Sequence, residues 1–357
     1  MRFPDLCTDL SNGVIELDAE ESTTALRAII GAIGEVSPDE LTEGARRLLP
    51  AVRQVSLGNG GQLAQVTAGL VEAGADPFVL FDALVDRVTA GLEQAARFPA
   101  LAEKSGALSE PESQEEVDDL LRQVARVAVE AGLSADEAGG VVQAWFTVED
   151  WIPALLLPLQ QKRVRQAFAD DPARRDRLVV AALAMSEYAE SAPWLLGLLQ
   201  VIDDVPVLVV HRDSGRAYRL TVSGVAENFQ LNTLLAATLI GDPADGLIPG
   251  ERPEQEWVDA ATDGEELQPE GGIVARFDLV SADGAPTWPE GQLADIPVVD
   301  GYRVLVLDTP RFERSWNTGR VYPLMRPEVV LERILPESEA AAWMQRIKPA
   351  KRDLLGG

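Results

Sequence analysis

The chain has 357 residues, 46% of them hydrophobic and 25% charged, the proportions of a folded globular protein with enough length for two cores. Its 31 Lys+Arg stand against 58 Asp+Glu, and the net charge of −27 repels phosphate backbones and anionic lipid, so neither nucleic acid nor a membrane surface is expected as a partner. One histidine and one cysteine exclude a multi-Cys/His zinc site and any intrachain disulfide; a Ser-His-Asp triad has to use His211, and a Cys-His pair has to join it to Cys7.

Met1 to Gly13 holds two acids and no apolar run of signal-peptide length, and the most apolar stretch, Trp151 to Leu159, is interrupted by Pro153 and Pro158. The expectation is a cytoplasmic protein. Four lysines only (Lys104, Lys162, Lys348, Lys351) and abundant alanine suit a GC-rich bacterial genome.

From about residue 20 to 202 the pattern is helical. Ser37-Pro38-Asp39-Glu40 combines an N-cap serine, a first-turn proline and a capping-box glutamate, predicting a helix towards Val55, either continuous or broken at Pro50. Gly58-Asn59-Gly60-Gly61 lacks the preceding strand and the lysine of a phosphate loop, so it reads as a helix connection. Phe78, Phe81, Leu84, Val85, Val88 and Leu92 make one 3.6-period face entered through Asp76-Pro77. Ser113 and Glu116 repeat the capping device before the stripe Val117, Leu120, Leu121, Val124, Ala128 and Ala131, which Gly132 ends. Gly74-Ala75-Asp76 and Gly132-Leu133-Ser134 each read as a C-cap glycine followed by the next N-cap. Leu178 to Met185 is apolar almost all round, which predicts the central helix of the bundle.

At Asp203-Asp204-Val205-Pro206 the period changes. Val207 to Val210 is β-branched, Asp213-Ser214-Gly215 has turn chemistry and Ala217 to Val222 alternates, so a β-hairpin is expected. A helix from Leu231 to Ile240 with Asn228 as N-cap, strands at Gly272 to Val280 and Arg303 to Asp308, and closing helices at Pro327 to Leu335 and Ser338 to Ile347 complete the reading. Gly241 to Gly271, rich in Gly, Pro, Asp and Glu, reads as a long exposed connection, either a lid or a disordered insert. The fold class is therefore α plus α/β: a helical domain over residues 1–202, then a smaller mixed domain over 203–357 with a hairpin and a short sheet.

Three groups carry candidate chemistry. The first is the tract from Arg311 to Tyr322, in which Arg311, Arg314 and Arg320 alternate with Trp316, Asn317 and Tyr322; guanidinium forks beside aromatic faces bind carboxylates, phosphates or a peptide terminus, although the same arginines also neutralise a local excess of acids. The second is Asp203-Asp204 with His211, either a magnesium-and-base pair or a solvated turn and an ordinary histidine. The third is Asn228 to Asn232, either an anion or amide site at a helix N-terminus or a simple cap. A basic island, Lys162-Arg163-Val164-Arg165 with Arg174-Arg175-Asp176-Arg177, reads as internal charge compensation, and Trp257, Trp288, Trp316 and Trp343 read as domain packing or binding anchors.

No Walker A, dinucleotide, HExxH, EF-hand or G-x-S-x-G pattern is present. The reading these residues support is a non-catalytic recognition or scaffold protein that holds a peptide, an acidic partner or a small anion on the Arg311 to Tyr322 loop, with no cofactor. The competing reading is an enzyme using Asp203, Asp204, His211 and Arg320 on a phosphorylated or carboxylated substrate.

Overall fold

A computed structural model describes residues 2–106 and 114–351. Among the described residues twelve α-helices are followed by a mixed α/β region, the order expected from the change of period near Asp203. The helices are α1 (Phe3–Glu16), α2 (Ala19–Ala32), α3 (Pro38–Gln54), α4 (Gly61–Glu72), α5 (Phe78–Ala95), α6 (Phe98–Ser105), α7 (Gln114–Glu130), α8 (Ala135–Thr147), α9 (Ile152–Leu159), α10 (Lys162–Ala169), α11 (Pro172–Ala184) and α12 (Ala192–Gln200). After them come β1 (Val205–His211), β2 (Arg216–Ser223), α13 (Asn228–Leu239), α14 (Gln255–Thr262), β3 (Ile273–Val274), β4 (Asp278–Ser281), β5 (Val298–Val299), β6 (Tyr302–Asp308), β7 (Ser315–Trp316), β8 (Glu328–Ile334) and α15 (Glu337–Met344). The chain divides into two compact units, Met1–Leu159 with Arg163–Leu199 and Gln160–Lys162 with Gln200–Gly357.

In the helical unit the capping signals act as read. Ser37 Oγ accepts from the Glu40 N–H and donates to its carboxylate at 3.0 Å, Ser134 and Glu137 close a full capping box, and Gly74 and Gly132 take the left-handed conformation that ends a helix. The Ser113 cap lies outside the described residues. Gly60 precedes α4 where a Cβ would stand 2.2 Å from the ring of Trp151, so the glycine admits the buried indole whose Nε1 donates to the Leu57 carbonyl.

One alternative for this unit is decided and one expectation is corrected. Pro50 does not break α3, which runs on to Gln54: the proline sits on the exposed side, so water can serve the Arg46 carbonyl that loses its donor, while Leu48, Ala51 and Val52 hold the buried side. Leu178 to Met185 is not central. Its helix α11 buries Leu178, Ala181 and Ala182 but exposes Val180 and Leu183, and charge ties it to α5, with Arg174 at 2.5 Å from Asp82 and 2.8 Å from Asp86, and Arg177 at 2.6 Å from Glu93. Helix α5, which buries Phe81, Leu84, Val85, Val88 and Leu92, is the enclosed element. Arg163, Arg174 and Arg177 of the basic island are thus paired with acids of the helical unit, Arg163 through Asp76 at 3.4 Å, whereas Arg165 and Arg175 donate to the Leu159 and Leu199 carbonyls.

The second unit is built on a sheet of order β4-β6-β1-β2-β8, with β5 added beside β6. Among the described residues β1 and β6 are the one parallel pair of strands in this sheet. The apolar run Val207 to Val210 reads as unbroken because both faces are covered: Val207 and Val209 pack with Leu231, Leu235 and Leu239 of α13, while Leu208 and Val210 pack towards Leu335, Ala340 and Ile347. The hairpin forms as expected, in the register Val207↔Leu220 to His211↔Arg216, with Gly215 at φ +68° closing the turn.

Three further expectations fail here. Residues 328–334 form strand β8, not a helix. Val329, Leu331 and Ile334 face the core, and the step from two residues to three comes from a β-bulge between the Leu331 and Arg333 pairings that adds one residue and displaces the period-2 pattern. The interval from Gly241 to Gly271 is not an open connection either: Ile248 bridges to Ile240, and α14 buries Trp257, Ala260 and Ala261. The strand expected over Gly272 to Val280 is divided between β3, which pairs with β7 in a separate ribbon, and β4 at the edge of the main sheet.

Candidate functional site

Strand β1 separates the carboxylate pair from the histidine. Asp204 precedes it at φ +53°, tied by Lys162 Nζ at 2.7 Å and by the Ser223 hydroxyl at 2.9 Å, whereas His211 closes it seven residues later, about 23 Å away at ~3.3 Å per strand residue. Buried His211 shares a hydrogen bond of 2.8 Å between Nδ1 and the Ser214 hydroxyl and meets the Phe277 ring edge-on; burial lowers its pKa and favours the neutral ring. Asp203, Asp204 and His211 therefore form no common site. Cys7 lies buried against Gly44 in the helical unit, where burial pushes its thiol up to about 12 and removes it as a nucleophile. Among the described residues no group of three or more His, Cys, Asp and Glu side chains is placed to hold a metal ion.

The Arg311 to Tyr322 tract is two structures in succession. Its second half is a brace. Arg320 is buried and spends its guanidinium on backbone carbonyls, with Ala260 at 2.9 Å and Gly264 at 2.7 Å beyond the C-terminal turn of α14, and Pro323 at 3.1 Å. Gly319 packs so tightly on Ala260 that a Cβ would lie 2.6 Å from it. The structure places Arg320 and buried Tyr322 in this brace, and exposed Asn317 beside Gly272.

The first half returns to the edge of the sheet. Asp278 of β4 and Asp308 of β6 are directly opposite, a costly placing for like charges that arginines relieve on both sides. Asp308 takes Arg212 Nε at 2.6 Å; Asp278 takes Arg314 Nη2, Arg311 Nε at 3.6 Å and the Arg311 N–H at 3.3 Å. The Arg314 guanidinium also lies over the Phe312 ring, 5.2 Å from its centre.

Arg311, Phe312 and Arg314 form one side of a cleft of about 430 Å³; Leu279 and Val280 of β4 lie in it, and Pro286, Thr287, Trp288, Pro289 and Glu290 form the other side. Trp288 and Phe312 are 65% and 54% exposed. Three cations (Arg311, Arg314, Lys351) against two acids (Asp278, Glu290) leave the lining at +1, in a chain at −27. A smaller recess adjoins it, sharing Leu279, Thr287, Pro289 and Arg314 and adding Asn228, Phe229, Asn232, Phe277 and Trp316. Of the ligand-binding candidates, Arg311, Arg314, Trp316 and Asn228 thus come together, although Trp316 and Asn228 reach only the recess.

Asn228 is not the N-cap of α13. Glu227 holds that position, and Asn228 is the first helical residue, its Nδ2 donating to the Trp288 carbonyl at 2.8 Å. The loop that walls the cleft also serves the helix: the N–H groups of Asn228 and Phe229 donate to the carbonyls of Gly291 at 2.9 Å and Pro289 at 3.2 Å. This arrangement half-buries the Glu227 carboxyl near Glu290, and burial first, then that neighbouring charge, raises its pKa to about 7. Sequence reasoning missed Asp278 and the rest of the 286–290 loop; Trp288, read as a packing or binding anchor, was the available signal.

Comparison with family models, with curated proteins and with solved structures finds no match to the chain. Among the described residues no helix is long and apolar enough to cross a membrane.

Proposed function

We propose that the chain is a non-catalytic cytoplasmic recognition protein that binds an anionic group in the cleft between the Arg311–Arg314 segment and the 286–290 loop. The observation that carries this is convergence: the two arginines and the two most exposed aromatic side chains of the second unit, Trp288 and Phe312, line the same cavity. Arg311 is the primary contact, because its side chain is 46% exposed while Arg314 is held by Asp278. The cytoplasmic placing is supported by the single cysteine, and the charge of −27 argues against nucleic acid and anionic lipid as partners.

The test is a thermal-shift screen of the full chain against carboxylates and phosphates, repeated on Arg311→Gln. The expected result is a midpoint raised by at least one anion in the wild type and unmoved by it in the variant. Equal shifts in both proteins remove the cleft from the account.

A further inference from the structure

We infer that the ligand of this cleft is a flat aromatic molecule carrying a single carboxylate, an inference that rests on the cleft being the recognition site.

Charge sets the anion. Lys351 is paired with Asp283 at 3.0 Å and Arg314 with Asp278, so Arg311, 46% exposed and 3.6 Å from Asp278, is the cation left for one negative charge. A dianionic phosphate would face Asp278 and Glu290 with that one cation to offset it. The loosely held Arg311 offers a planar fork that matches a carboxylate in two parallel hydrogen bonds.

The walls set the body. Leu279, Val280, Pro286, Trp288, Pro289 and Phe312 make half of the lining apolar, and Arg314 beneath the Phe312 ring leaves the other ring face for a partner. The volume, about 430 Å³, suits a small molecule rather than a folded partner.

An extended peptide is disfavoured by the backbone. Peptides commonly bind a sheet edge by adding a strand, but the outer edge of β4 is already used: Ser281 donates to the Ala285 carbonyl and Thr287 to the Leu279 carbonyl, both at 2.9 Å.

The experiment is calorimetric titration of the full chain with indole-3-acetate and phenylacetate, compared with acetate, neutral indole and inorganic phosphate. The aryl carboxylates are expected to bind at least ~10-fold tighter than the other three, since an ion-paired hydrogen bond and a stacked ring are each worth about a decade or more. Arg311→Gln and Trp288→Leu should each weaken them at least ~10-fold, with melting midpoints confirming that both variants fold. Both side chains are substantially exposed, so neither change opens the core. Phosphate or acetate binding as tightly as the aryl acids overturns the ligand class while leaving anion recognition at the cleft standing. Aryl acids that bind both variants as well as wild type overturn the site itself, and failure of every anion to bind overturns both readings.

Discussion

Glu227 should make the protein less stable at neutral pH than its contacts alone would give, and replacing it with glutamine should remove that cost. Its carboxyl is partly buried where the 286–291 loop caps α13, near Glu290, and its pKa stands at about 7 against an ordinary 4.5. A carboxyl whose folded pKa is raised binds its proton more tightly in the native state, so stability falls as pH rises from 4.5 to 7, and the full cost is present above 7. At about 1.4 kcal/mol per pKa unit the shift corresponds to at most ~3 kcal/mol; water around the partly exposed site reduces this to ~1–2 kcal/mol. Urea unfolding of wild type and Glu227→Gln at several pH values isolates the effect, because the repulsion arising from the net charge of −27 is nearly common to both. The variant should be more stable by ~1–2 kcal/mol at about pH 8, with the advantage fading towards about pH 4. A stability difference independent of pH across that range would refute the reasoning.

Other substitutions test the architecture. Gly60→Ala should cost ~1–3 kcal/mol in urea unfolding, because the new methyl meets the enclosed Trp151 ring. Arg320→Met should cost ~2–4 kcal/mol by leaving the Ala260, Gly264 and Pro323 carbonyls without their donor, and a loss below ~0.5 kcal/mol would mean the brace is not structural. Asn228→Asp should destabilise more than Asn228→Ala at neutral pH, since it places a buried charge beside Glu227; equal losses in the two variants would contradict that placing. Cys7 should resist an aromatic disulfide reagent in the folded protein and react on denaturation; rapid labelling of the native state would show its burial to be wrong.

What the sequence made legible was local. Caps at Ser37 and Ser134, terminating glycines at 74 and 132 and the hairpin after Val207 follow from groups a few residues apart, and they formed as read. The turn Asp300-Gly301 carried an equally clear signal that was overlooked: both residues take positive φ and join β5 to β6 as a tight hairpin. Features that depend on distant partners were not legible. A bulge opposite β2 disguised β8 as a helix, and the exposure of Val180 and Leu183 shows that an apolar helix need not be central.

The candidate site divides in the same way. Arg311 and Arg314 were visible as guanidinium groups near aromatics, but their convergence on Trp288 depends on the pairing of β4 with β6 and on a loop more than twenty residues earlier. Nothing in the spacing of Arg314 and Arg320 shows that one faces a cleft while the other holds the end of α14. Asp204 and His211 looked adjacent in sequence, yet an extended strand separates residues that a helix would bring together.

Native mass spectrometry of the full chain purified from its own host tests the recognition claim most directly. The account predicts that wild type retains a small acidic molecule and that Arg311→Gln combined with Trp288→Leu, folded to the same extent, does not. The same retained mass on both proteins would contradict it.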